Sequence, residues 1–453
     1  MRGGFVLFSD MRLNRRLPSS TGMTYRVLAG LRVIAICLIA VLLALPSPVH
    51  AYAVLSHEAI IDAAWETHIK PLLLRKFPQA TEEDLSRAQA YAYGGAIIQD
   101  MGYYPYGNPF FSDLTHYVRS GDFIHAMLQD AKDLNEYAFA IGALAHYAAD
   151  NDGHRIGTNR AVPILYPSLR KKYGDSVAYE NAKLAHVKTE FGFDVLEIAR
   201  ERYAPDSYHD FIGFEVSRPV LDQAFRETYG LELQDVLVNE EQALQSYRRD
   251  VSKLIPKATR IAWTLKQDEI KDDVPDATKK RFLYNLSRSN FEREWGKDYH
   301  KPSPGERFLA FLYKLLPKIG PLQILQFKTP TPQTEQMFEA SFNATLDRYR
   351  KLLVEVREGT LKLPNDNFDV GENTGPGKYA LNDQAHAKLL DRLAANKFAN
   401  ATPELKAELL HFFAEPDAPY ATKKKPEAWT KVQVQLQQLR DTTVTSVPAN
   451  SVH

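Results

Sequence analysis

Cysteine is almost missing from this sequence. Among 453 residues there is one, Cys37, and it sits inside an apolar run near the amino end. A disulfide framework is therefore excluded, and stability must come from a core of adequate size or from metal. An excess of one charge is missing too, since Lys+Arg and Asp+Glu both total 56. A chain that coats nucleic acid is strongly basic, so no stable nucleic-acid partner is expected. No internal repeat of fixed period occurs, which excludes a solenoid. With 44% hydrophobic and 25% charged residues the composition is that of a globular protein, not of a polytopic membrane protein or a disordered regulator. The length allows two or three domains.

The neutral total hides an asymmetry. Residues 1–51 hold six Arg and a single acidic residue, so the remainder carries a formal charge of −5. The most hydrophobic run, Val33 to Leu45, follows Arg26 and Arg32 and leads to Pro46, Pro48 and Val49-His50-Ala51. Basic flank, short apolar stretch and small-residue exit read as a secretory signal peptide over residues 1–51. A spanning helix needs about 20 apolar residues, and a single membrane anchor is the alternative reading. A secreted or periplasmic protein is expected, starting at Tyr52 if cleavage follows Ala51. Cleavage after Ala53 competes.

From residue 52 the pattern is helical almost throughout. Helices are expected at Ser56–Leu74, Glu82–Gln99, Asp122–Gln129, Leu134–Asp150, Tyr179–Tyr203, Ser217–Tyr229 and Glu240–Lys266. Further ones are expected at Arg307–Leu316, Thr334–Glu358, Ala385–Ala395, Pro403–Phe413 and Pro426–Leu439. Ser56, Thr81 and Asp122 stand at N-cap positions, and Pro403 and Pro426 suit the first helical position. A charged stretch, Gln267 to Lys280, reads as a linker, and Leu361–Lys378 as irregular. The expected organisation is all-α: a domain over 52–266, a helical C-terminal region over 267–441 of unknown role, and a disordered tail over 442–453.

The segment that carries chemistry is Tyr137 to Ala149, YAFAIGALAHYAA, apolar on nearly every face and so buried all round. His146 sits in that wall, and Asp150 follows four residues later on the same face. A buried carboxylate is costly alone, and a divalent cation is a natural compensation; a His–Asp hydrogen bond is the plainer alternative. His186 and Glu190 repeat the spacing on a second helix. His57, Asp100, His116 and His154 fall nearby in sequence, and seven of the thirteen histidines lie between 57 and 186. Such a mixture of nitrogen and oxygen donors suits zinc. His68 and His125 have no acid partner at helical spacing, and His386 and His411 are assigned no role.

These residues resemble the zinc-dependent phospholipase C family, and more distantly the single-strand-specific trinuclear zinc nucleases. The carrying features are His57, Asp100 after GGAII, His116 in SDLTHY, His146 and Asp150 in HYAAD, and His186 and Glu190 in HVKTE. The resemblance covers roughly Tyr52 to Tyr203. It implies an all-helical catalytic domain with two or three Zn2+ ions. Asp100, His116, His146 and Asp150 would hold one ion, and His154, His186 and Glu190 a second, with Asp152 a substitute for His154. His57, Asp150 as a bridge and the amino group and carbonyl of Tyr52 would hold a third. The family usually begins with Trp where this chain would have Tyr, and the alpha-toxin type carries a β-sandwich where residues 267–453 here read as helical.

The implied reaction is hydrolysis of a phospholipid head-group phosphodiester, with Asp100 orienting or deprotonating water. Peripheral membrane contact is a further expectation. The segment Tyr103–Phe111 would rim the site, its aromatics meeting lipid or forming a packed lid. Alternatives are a nuclease or other phosphoesterase with the same centre, and a non-catalytic zinc-stabilised protein.

Overall fold

Three glycines decide how the central helices meet. A Cβ on Gly95 would lie 1.9 Å from the carbonyl oxygen of Phe139, and one on Gly142 would lie 2.1 Å from that of Ala92. Helix Glu82–Gly95 therefore crosses helix Leu134–Asp152 backbone against backbone. Gly94 does the same toward Glu215, whose carbonyl oxygen would lie 1.6 Å from a Cβ. Any side chain at these points would force the helices apart.

The molecule is described by a computed structural model over residues 54–199, 214–237, 239–251 and 320–444. Among these residues every regular element is helical, and a lone β-bridge pairs Asn367 with Glu372. The all-α expectation holds. The signal peptide, Tyr52, the linker, the helix expected at Arg307–Leu316, the 266/267 boundary and nearly all of the tail lie outside the described residues. None of the described helices is long and apolar enough to cross a membrane.

Helix Leu134–Asp152 is the axis of the fold, and every residue from Tyr137 to Asp152 is buried. It starts where Asp133 accepts from the Glu136 N–H at 2.8 Å. Thr81 and Asp84 form the capping box of the preceding long helix. Two of the three expected N-caps prove to be interior positions. Ser56 lies within helix Val54–Ala64 and donates instead to Asp194 Oδ1 at 3.0 Å. Asp122 lies within helix Ser120–Asp130, which Arg119 opens from a left-handed backbone (φ 49°). A helix not expected from the pattern, Pro109–Tyr117, begins with Asn108 as cap and Pro109 in its first turn.

The described part of the C-terminal region packs on the helices that precede it. Its longest helix, Pro332–Glu358, is capped by Thr331 and closed by Gly359 at φ 70°. It packs along the axial helix and the wider turn Gly153–Thr158. There Tyr349 donates to the Ile141 carbonyl at 2.9 Å. The irregular segment that follows runs over the Tyr117–Ser120 corner. Asn365 Oδ1 accepts from the N–H groups of Gly121 and Asp122 at 3.0 Å, and the Phe368 N–H donates to the His116 carbonyl at 3.2 Å.

Candidate metal centre

The axial helix delivers His146 and Asp150 to its inner face, and both are fully buried. His146 Nδ1 lies 2.9 Å from the Ala96 carbonyl oxygen, at the end of the helix that Gly95 lets close in. His116, on helix Pro109–Tyr117, likewise sets Nδ1 2.8 Å from the Ser112 carbonyl oxygen. A carbonyl only accepts, so Nδ1 carries the hydrogen in both rings and Nε2 is turned to the interior.

These Nε2 atoms converge on one point. Asp150 Oδ2 lies 3.3 Å from His146 Nε2 and 3.4 Å from His116 Nε2, while Asp150 Oδ1 lies 3.4 Å from His57 Nε2. Asp100, in the 3₁₀ stretch Ile98–Tyr103, places Oδ1 3.4 Å from His116 Nε2. The two Nε2 atoms of His116 and His146 are 3.5 Å apart, and the His57 ring stacks on His146 with centroids 4.5 Å apart. Two donors bound to one zinc at about 2.0–2.1 Å and a tetrahedral angle stand about 3.3–3.4 Å apart. The ligand atoms of His57, Asp100 and His146, and those of His116, His146 and Asp150, form two compact metal-competent groups. Asp150 offers one oxygen to each side, the disposition of a bridging carboxylate.

A second group lies further along the same helix. His154 Nε2 is 3.6 Å and His186 Nδ1 is 3.7 Å from Glu190 Oε1, all three residues buried. His186 turns Nε2 to the Val177 carbonyl at 2.5 Å, which leaves Nδ1 as its free face. His154 follows Asp150 by only four residues. The π turn Gly153–Thr158 slows rotation along the chain, so His154 stays on the face of His146 and Asp150. Asp152 does not substitute for it; its Oδ1 pairs with Arg155 at 2.8 Å and faces Arg348 at 3.6 Å.

The electrostatics fit a cation. Neither carboxylate oxygen of Asp100, Asp150 or Glu190 makes a hydrogen bond of ordinary geometry among the described residues. Buried carboxylates in that state need a positive partner. Burial, with the neighbouring carboxylates, pushes the Glu190 carboxyl well above its usual range. Burial also raises Asp150, but the charge of His146 and the close approach of the His116 and His146 rings outweigh it and hold this acid well below the usual range. Burial and the adjacent His146 lower His57 to about 3, and burial and His154 lower His186 to about 4. Both rings are neutral at pH 7, the form that binds metal. His116 goes the other way: burial disfavours its charge, yet Asp100 and Asp150 hold it at about 10. Its Nε2 thus sits where positive charge is most strongly favoured.

Of the residues expected from the sequence, His57, Asp100, His116, His146 and Asp150 meet in one cluster and His154, His186 and Glu190 in a second. Tyr52 lies outside the described residues. His68 is half-buried and His125 exposed, bonded to Thr67 and Gln129. Two neighbours of the centre gave no local signal. Phe368 lies over it, its ring centroid 5.2 Å from that of His116 and 6.0 Å from that of His146, and Asp369 faces His154 at 3.3 Å. Both come from the irregular C-terminal segment, without a histidine at helical spacing to mark them. The expected rim aromatics are mostly core: Phe110 and Phe111 are fully buried, and Tyr106 alone of that stretch is well exposed.

The site is a set of buried histidine and carboxylate groups on neighbouring helices that could hold a metal ion, in an all-α fold. Residues 56–236 match the family model described as zinc dependent phospholipase C. No curated protein and no solved structure matches the chain.

Proposed function

We propose that this protein is an exported zinc-dependent phosphodiesterase acting as a phospholipase C on the head-group phosphodiester of phospholipids. The observation that carries the reading is Asp150, whose two oxygens face His57 on one side and His116 and His146 on the other inside the segment that matches that family. Asp100, His116, His146 and Asp150 would hold one ion, His154, His186 and Glu190 a second, and His57 with Asp150 a third completed by the mature amino terminus. Zinc bound by such donors polarises a phosphoryl oxygen and makes water a nucleophile near neutral pH. Water adds to phosphorus as the bond from phosphorus to the glycerol oxygen breaks, and the proton taken from the water passes to that leaving oxygen, giving diacylglycerol and the phosphorylated head group.

The chain's own residues do the rest. Asp100, in contact with His116 at 3.4 Å, takes the proton of the attacking water. The carbonyls of Ala96, Ser112 and Val177 keep His146, His116 and His186 in the ligating tautomer. Export is part of the chemistry in this reading, because cleavage after Ala51 creates the Tyr52 amino group five residues before His57. Amino-terminal sequencing of the secreted protein that returned Val54 as first residue would remove that ligand.

The acidic formal charge left after residue 51 favours a lipid over a polyanion, whose binding rests on Lys and Arg contacts. The test is turnover of phosphatidylcholine vesicles against single-stranded DNA at equal phosphodiester concentration, with a small chromogenic phosphodiester alongside. Faster lipid turnover supports the proposal. Faster DNA turnover makes the protein a nuclease, and loss of all three activities makes the zinc structural.

A further inference from the structure

Asp369 lies outside the segment that matches the family, on the irregular chain between helices Pro332–Glu358 and Ala380–Ala395. We propose that it is the positioning residue for His154, so that the C-terminal region completes the second metal site. The inference rests on the zinc reading above.

An imidazole ligates through one nitrogen, and the partner of the other nitrogen decides which. His154 Nδ1 faces Asp369 Oδ1 at 3.3 Å, and its Nε2 faces Glu190 Oε1 at 3.6 Å. A carboxylate oxygen accepts, so Asp369 Oδ1 is placed to face the Nδ1 hydrogen. The Nε2 lone pair is thereby aimed at Glu190, on whose same oxygen His186 Nδ1 converges from 3.7 Å.

Asp369 is itself fixed from several sides, as a residue that sets the direction of another must be. Its Oδ2 accepts from Tyr117 at 2.7 Å and from Tyr379. Its carbonyl accepts from Asn159 at 2.7 Å, and its N–H donates to Asn367 Oδ1 at 3.0 Å. Two residues on, Gly371 turns the chain at φ 72°, where a Cβ would lie 2.3 Å from the Asn151 carbonyl oxygen. The segment is thus seated on the end of the axial helix that carries His146, Asp150 and Asn151. Tyr117 follows His116 directly, so the same carboxylate ties the helix of the first ion to the histidine of the second.

The test is a zinc titration of the full chain against a competing chelator, with circular dichroism to verify the fold. Asp369→Asn is expected to weaken one ion by about 10–100-fold and leave the others at wild-type affinity, with Asp369→Glu partly restoring it. Glu190→Gln, which removes a ligand of the same site, is the reference. If Glu190→Gln weakens one ion while Asp369→Asn changes none, the inference is overturned and the zinc reading stands. If the wild-type chain binds no zinc, both fall together. Should Asp369→Asn fail to fold, Tyr379→Phe keeps the ring and removes one donor to Asp369. It is then expected to weaken the same ion by a smaller factor, and an unchanged affinity overturns the inference.

Discussion

Gly95→Ala adds a single methyl group, and the fold leaves it nowhere to go. Its Cβ would stand 1.9 Å from the Phe139 carbonyl oxygen, where ordinary contact begins at 3.4 Å, so the two helices must part by up to about 1.5 Å. The obstacle is backbone and cannot rotate aside. Overpacking of this kind costs about 1–3 kcal/mol, against roughly 0.5–1 kcal/mol returned by removing a helical glycine. The net is a loss, read as a fall of several degrees in thermal midpoint. The site is expected to suffer with the fold, since Ala96, the next residue, holds His146 Nδ1 at 2.9 Å. Displacing that carbonyl disturbs donors that now stand 3.3–3.5 Å apart. Differential scanning calorimetry and zinc content should therefore fall together. Gly375→Ala, where a Cβ meets nothing within 4 Å, is the control and should change neither. A Gly95→Ala protein with wild-type midpoint and wild-type zinc would refute the argument that this crossing sets the ligand spacing.

His146→Ala should lose zinc as measured by atomic emission, whereas His386→Ala should keep it; because His386 is buried and stacked on Phe412 at 3.6 Å, that variant should still melt earlier. Replacing Phe110 and Phe111 by Ser opens the core at two fully buried positions, where truncation to Ala already costs about 3–5 kcal/mol each. Turnover of lipid and of a soluble phosphodiester should then fall in parallel, and selective loss on lipid would contradict the packing described here. Burial, offset in part by Ser56 and the Leu55 N–H, raises the Asp194 carboxyl to about 8. A pKa raised on folding means the folded state holds the proton between about 4 and 8, so this contribution is complete below about 4 and is lost as pH rises toward 8. Urea unfolding at pH 5 and pH 8 should show a smaller drop for Asp194→Asn than for wild type, the difference not exceeding ~1.4 kcal/mol per pH unit.

The helical architecture was readable because local rules govern it: the apolar run around His146, the Thr81 cap, and the prolines that open helices. The buried His–carboxylate pairs were readable for the same reason, since His146 with Asp150 and His186 with Glu190 lie one turn apart. What escaped was non-local. Nothing near Asp369 in sequence points to His154, more than two hundred residues away, and the two meet only because Pro332–Glu358 packs along the axial helix. Phe110 and Phe111 looked like rim residues because their segment joins Asp100 to His116, whereas Pro109 opens a helix in which both are core. Ser56 looked like a cap because its bond to Asp194, on another helix, leaves no trace in the local pattern.

The central claim is that one buried carboxylate, Asp150, is shared between metal sites. The most direct measurement is the number of zinc ions per purified mature chain, for wild type and for Asp150→Asn. The account predicts two or three ions for the wild type and a loss of more than one for the variant, because Oδ1 faces His57 while Oδ2 faces His116 and His146. A wild-type chain without zinc, or an Asp150→Asn chain that keeps its full complement, would contradict it.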